Sequence, residues 1–169
     1  MNQTVQQHQA DAPSQLGCAV ITVSDTRTLE TDTGGGALCE GINAAGHQVV
    51  LRKIIPDEPA PMRPFIIALA NRDDIDAILL TGGTGISSRD QTYETIAGLL
   101  TKHLPGYGEL FRWLSYDEIG AAAILSRAIG GLLGTTVVLT MPGSPKAVKL
   151  AVEKIIVPEL PHLVREARR

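Results

Sequence analysis

Three short stretches of this chain carry residue types suited to holding a phosphate. The first is Thr81-Gly82-Gly83-Thr84-Gly85. Glycines permit positive φ and let a backbone approach a ligand with no Cβ in the way. Successive N–H groups turned inward form an anion nest, and the hydroxyls of Thr81 and Thr84 add donors. A tight strand-to-helix turn needs only one or two glycines, so three within residues 82–85 favour a phosphate. The run is neither a G-x-G-x-x-G fingerprint nor a Walker loop, which requires Gly-Lys-Ser/Thr. The second stretch, Pro142-Gly143-Ser144-Pro145-Lys146, offers donors at a helix start, where the dipole favours an anion. A plain turn explains it almost equally well. The third, Ser24-Asp25-Thr26, ends an apolar run.

Two carboxylates accompany these turns. Asp90 follows the glycine loop beside Arg89, and Asp57 stands in Ile55-Pro56-Asp57-Glu58-Pro59. Taken singly, Asp90 reads as the cap of a helix starting near Gln91, and Asp57 as a turn aspartate. Taken together they match a magnesium-nucleotide site, because Mg²⁺ takes one or two carboxylates plus phosphate oxygens. Ser126-Arg127 reads as the solvated face of a helix. The histidines at 8, 47, 103 and 162 show no metal-ligand spacing.

The elements between these turns alternate. Cys18-Ala19-Val20-Ile21-Thr22-Val23 is almost continuously apolar and β-branched, as a strand covered on both faces reads. Leu38, Ile42 and Ala45 share a helix face closed by Gly46. A second strand follows over residues 47–55, then a helix of Met62, Phe65, Ile66, Leu69 and Ala70, with Pro61 placed to start it. A third strand over residues 77–81 runs into the glycine loop, and Tyr93, Ile96, Ala97 and Leu100 mark the next helix. Further helix is expected over residues 107–128, broken near 117–120. A last strand, residues 136–141, leads to a stripe of Val148, Ala151, Val152 and Ile155, interrupted at Pro158 and continued by Leu160, Leu163 and Val164. This alternation predicts a three-layer α/β/α fold with a mostly parallel sheet, whose ligands bind beyond the carboxyl ends of the strands. The three polar turns fall at that edge.

Bulk properties narrow the possibilities. A chain of 169 residues fits one domain, here 16–169 after a polar, aperiodic tail over 1–15. A net charge of -3 lacks the basic field of nucleic-acid binding, so an anion must be held by local geometry. Cys18 and Cys39 form no C-x-x-C pair and read as buried, reduced thiols. No secretory leader or bilayer-spanning run is apparent, which points to the cytoplasm and away from a membrane. Phe111 and Trp113 read as core or subunit-interface residues.

From about Gly17 to the last helix, the motifs together resemble the MoaB/Mog molybdopterin-binding family, which includes the first domain of gephyrin. They are Thr22-Val23-Ser24-Asp25-Thr26, Asp32-Thr33-Gly34, Ile55-Pro56-Asp57-Glu58, residues 81–85 with Arg89-Asp90, Leu125-Ser126-Arg127, and Met141-Pro142-Gly143-Ser144. Leu114-Ser115-Tyr116-Asp117-Glu118-Ile119-Gly120 looks most like the bacterial MoaB branch. Gly35 and Gly36 depart from the family pattern, where larger or charged residues are more usual. The resemblance implies molybdenum cofactor biosynthesis by ATP- and Mg²⁺-dependent adenylylation of molybdopterin. It implies catalytic, Mg²⁺-holding roles for Asp57 and Asp90. Ligand contacts are implied for Ser24, Asp25, Asp32, Thr81, Gly82, Gly83, Thr84, Gly85, Ser126, Pro142, Gly143 and Ser144. It further implies a homotrimer or homohexamer. Some MoaB-branch members are thought to lack the activity, so a non-catalytic molybdopterin-binding or scaffolding oligomer is the alternative expectation. A generic mononucleotide-binding enzyme is more remote, because Ser24-Asp25-Thr26 stands where its glycine fingerprint belongs.

Overall fold

The computed structural model describes residues 13–169, so most of the expected tail lies outside the described residues. The elements run β1 (Gly17–Val23), α1 (Thr33–Ala44), β2 (Gln48–Ile55), α2 (Pro59–Ala70), β3 (Ala77–Thr81) and α3 (Thr92–Ala97). Then come β4 (Lys102–His103), α4 (Pro105–Ile119), a 3-10 segment (Gly120–Leu125), β5 (Gly130–Leu133) and β6 (Thr136–Met141). Finally α5 (Pro145–Ala151) passes through a π segment (Val152–Ile156) into α6 (Val157–Ala167).

One sheet orders its strands β2-β1-β3-β6-β5-β4. The four from β2 to β6 are parallel, while β5 is antiparallel to β6 and β4 to β5. The period-two alternation of side chains splits each central strand between two cores. Cys18, Val20, Ala77, Leu79, Val137 and Leu139 face α1, α4, α5 and α6, meeting Leu38, Ile42, Phe111, Val148 and Leu160. Ala19, Ile21, Ile78, Leu80 and Val138 face α2 and α3, meeting Met62, Ile66 and Ile96. Burial on both faces is why these strands read as unbroken apolar runs. The three-layer, mostly parallel architecture is the observed one.

Local details differ from the sequence reading. α2 starts two residues before Pro61, at Pro59, with Glu58 as the flanking residue. No break occurs at Pro158. The Val157 N–H reaches back five residues to the Val152 carbonyl, and this wider turn gives the proline ring room. Trp113 is exposed on α4, whereas Phe111 is buried, and Cys39 is only half-buried.

Candidate functional site

Parallel strands deliver their following turns to one edge, and here four turns meet. The Ser24 N–H donates to the Ile55 carbonyl (2.9 Å), tying the turn after β1 to the end of β2. Between β3 and β6, the Gly82 N–H donates to the Met141 carbonyl (2.9 Å) and the Thr81 hydroxyl to the Pro142 carbonyl (3.1 Å). A Cβ on Gly143 would lie 3.5 Å from the Gly82 Cα, and one on Gly34 only 2.7 Å from the Gly143 carbonyl oxygen. The glycine loop, the 142–144 turn and the start of α1 are therefore in mutual contact, close enough at Gly34 to exclude a side chain, whereas a Cβ on Gly143 would make an ordinary contact.

The loop turns its carbonyls inward and its amides outward. Gly82 and Gly83 hold φ of +103° and +63°. The Gly83 carbonyl accepts from the Thr92 N–H (3.2 Å), the Thr84 carbonyl from the Arg127 N–H (3.0 Å), and the Gly85 carbonyl from Arg127 Nε (2.7 Å). Among the described residues, the amides of Gly83, Thr84 and Gly85 have no internal acceptor. An anion nest needs donors in that state. Gly82 is not part of it, because the sheet uses its N–H.

Asp57 and Asp90 flank this nest. Asp57 Oδ1 accepts from the Gln91 N–H (3.1 Å) and the Thr92 hydroxyl (3.4 Å), so Asp57, not Asp90, caps the start of α3. Its Oδ2 lies against the position a Gly83 Cβ would take. That oxygen has no internal partner and is not among the buried unpartnered atoms, so it opens to solvent. Burial pushes the Asp57 carboxyl above its ordinary range, the Gln91 N–H opposes this, and the neighbouring Asp90 charge raises it further. Asp90 Oδ2 accepts from the Ser87 N–H (2.8 Å) and sits 2.7 Å from a Cβ position on Gly85. Its Oδ1 has no hydrogen-bond partner among the described residues. Two carboxylates from separate turns thus border Gly83 and Gly85, each with one free oxygen. No group of three or more His, Cys, Asp or Glu side chains able to hold a metal occurs among the described residues. Two free carboxylate oxygens beside three amides without internal acceptors nevertheless fit Mg²⁺, which takes one or two carboxylates and completes its shell with phosphate and water.

The remaining site candidates divide between structure and mouth. Asp32 is buried, with Oδ1 accepting from Gly35 N–H (2.9 Å) and Oδ2 from the Thr22 hydroxyl (2.7 Å) and Arg52 (3.1 Å). Burial acts to raise its pKa, but those hydrogen bonds prevail and hold the carboxyl below its usual range. Ser24 Oγ accepts from the Thr26 and Arg27 amides within its own turn, and Ser144 Oγ caps α5. At the exposed mouth, Asp25 accepts from the Asp57 N–H (3.2 Å) and from Arg89 (2.8 Å), which also reaches Glu58 (3.4 Å). The Arg89 hydrogen bond keeps the Asp25 carboxyl below its usual range. Ser126 and Arg127 lie beyond the 3-10 segment, with Ser126 extended at ψ 120°, and not on a helix. Arg127 donates to the carbonyls of Thr84, Gly85 and Asp90, an engagement that a solvated-face reading misses and that no local sequence signal announces.

Fold and site together define an α/β domain with a glycine-rich, carboxylate-flanked cluster of turns at its strand ends. The model of the probable molybdopterin binding domain family matches residues 19–162, and the chain belongs to that family. It is 50% identical over 164 residues to the molybdenum cofactor biosynthesis protein B of Halalkalibacterium halodurans, covering 96% of each chain. A crystal structure of a molybdenum cofactor biosynthesis protein B superimposes with a TM-score of 0.90 at 47% identity, covering 94% of this chain and 99% of that one. The tungsten cofactor synthesizing protein MoaB from Pyrococcus furiosus gives 0.82 at 37% identity, over 94% and 100%.

Proposed function

We propose that this chain works in molybdenum cofactor biosynthesis by transferring the adenylyl group of ATP to the terminal phosphate of molybdopterin. The molybdopterin phosphate oxygen attacks the α-phosphorus of ATP, the bond to the bridging oxygen breaks, and pyrophosphate leaves. The observation that carries this reading is the pairing of Asp57 and Asp90, each with a free oxygen, across the open amides of Gly83, Thr84 and Gly85. The names of the relatives supply the pterin.

Transfer of this kind depends chiefly on positioning and on neutralising charge. The amides of residues 83–85 and those of Gly143 and Ser144 bind phosphate oxygens. Asp57 Oδ2 and Asp90 Oδ1 would hold Mg²⁺, which supplies compensation for the charge on departing pyrophosphate. Neither aspartate acts as a base, because the attacking phosphate is already ionised near neutrality. The exposed face of α4, with Trp113 67% and Tyr116 61% accessible, supports the homotrimer or homohexamer. Two free cysteines fit a reducing compartment, and we place the chain in the cytoplasm.

One observation favours a second reading, a non-catalytic molybdopterin-binding oligomer. One oxygen each of Asp57 and Asp90 serves the fold, so both residues have a structural use without any metal. Adenylylation measured with ATP, Mg²⁺ and molybdopterin separates the two. The transferase reading expects turnover that D90N nearly abolishes while molybdopterin binding persists. Normal turnover by D90N removes the metal role, and no turnover by the native chain leaves the binder.

A further inference from the structure

The hairpin of residues 86–89 is exposed and has no side chain in either core. Its own hydrogen bonds, Ser87 N–H to Asp90 Oδ2 (2.8 Å) and Asp90 N–H to the Ser87 carbonyl (3.0 Å), shape it without anchoring it. At its exposed tip Arg89 reaches Asp25 and Glu58, and the anchor at its base comes from Arg127. After the 3-10 segment the extended Ser126 lays the chain alongside the loop, and the Arg127 N–H donates to the Thr84 carbonyl (3.0 Å). The side chain then folds across the hairpin base. Nε donates to the Gly85 carbonyl (2.7 Å), Nη2 to the Asp90 carbonyl (3.0 Å) and Nη1 to the Glu94 carboxylate. The guanidinium lies 5.2 Å from the Tyr93 ring centroid, and only a quarter of the side chain is accessible. Arg112 of α4 braces this strap by donating to the Ser126 carbonyl (3.3 Å).

We infer that Arg127 is a positioning residue that clamps both ends of the Asp90 hairpin and thereby fixes the free Asp90 oxygen beside the nest. A planar fork of donors reaches two carbonyls and a carboxylate at once, whereas the point charge of lysine does not. The kinetic consequence rests on the proposed adenylyl transfer, and the mechanical one does not.

Amide hydrogen exchange on the ligand-free native chain and on R127Q tests the clamp. Loss of charge-assisted bonds at the hairpin base is expected to speed exchange of the Ser87 and Asp90 amides about tenfold, with β3 and β6 unchanged. In the adenylylation assay kcat falls about a hundredfold, the cost of a misplaced group, while KM for ATP stays near the native value. Methylguanidinium restores part of the lost turnover. Should R127Q loosen the whole fold, R127K keeps the charge, loses the fork and decides the question at the same two amides. Native exchange at Ser87 and Asp90 in these variants overturns the inference. Absence of adenylylation by the native chain would instead sink the transferase reading and leave the exchange result standing.

Discussion

Alanine at Gly83 tests the geometry on which the site depends. The φ there is +63°, and an added Cβ would enter between the Thr92 hydroxyl and the Asp57 carboxylate, 2.9 Å from Asp57 Cγ. Gly46 supplies the control, with φ +85° and nothing within 4 Å of the same position. G46A therefore bears only the left-handed backbone, about 1–2 kcal/mol. G83A bears that strain plus overpacking of a filled site, a further ~1–3 kcal/mol. Urea denaturation of the two variants reads this difference directly. Relief of the clash requires Asp57 to withdraw, and a shift on the order of 1 Å in a positioned group lowers turnover about a hundredfold. The adenylylation assay on folded G83A measures it, with G46A expected to turn over normally. If the two variants are equally stable and equally active, Asp57 does not press on the nest and the argument from Gly83 fails.

Other perturbations follow from the same contacts. Burial raises the folded-state pKa of Asp57, so its ionisation removes stability as pH rises from the ordinary carboxylate value through the raised one. D57N keeps an acceptor for Gln91 and cannot ionise, so it gains on the native chain across that window and holds the gain at neutrality, as urea midpoints against pH will show. Asp32 has the opposite sign: its pKa is lowered, so its contribution is present above the ordinary carboxylate value and is lost as pH falls through the folded value. D32A is expected to cost ~0.5–2 kcal/mol in denaturation through the lost cap, Arg52 keeping its bond to the backbone carbonyl at position 32, without changing KM for either substrate. W113E places a charge on the exposed apolar face of α4; if the proposed trimer or hexamer forms through that face, light scattering is expected to find a monomer for W113E and the larger mass for the native chain.

The parallel strands were legible because each is buried on both sides. Residues 77–81 and 136–141 are apolar enough to read as strands, and their boundaries coincide with β3 and β6. β4 and β5 were not legible, for two different reasons. β4 is two exposed residues with no pattern to detect, and β5 begins Gly130-Gly131, residues that ordinarily weaken a strand. Gly131 is needed nevertheless, since a Cβ there would collide with the Lys102 carbonyl of the neighbouring strand. The nest was legible in composition but not in allocation. Nothing in Thr81-Gly82-Gly83-Thr84-Gly85 reveals that the first glycine amide belongs to the sheet and the next three do not. Arg127 stood in a motif, but its engagement was hidden, because its partners lie 42 residues away in sequence at Gly85 and 37 away at Asp90.

The same allocation sorts the acidic residues. A carboxylate offers two oxygens, and what the fold leaves over decides what chemistry is possible. Asp32 has both engaged, by Gly35, Thr22 and Arg52, in capping α1 and joining it to β1 and β2. Asp25 has one oxygen on the Asp57 amide and one on Arg89, so it joins three turns across the mouth. Asp57 and Asp90 each give one oxygen to a turn and keep one beside the nest. The structural bond fixes the carboxylate before any cation arrives, so the free oxygen is held in place without further cost in side-chain freedom. A residue type that sequence alone treats as uniform is thereby divided into caps, struts and carboxylates with an oxygen to spare, and the proposed Mg²⁺ site draws on the last class alone.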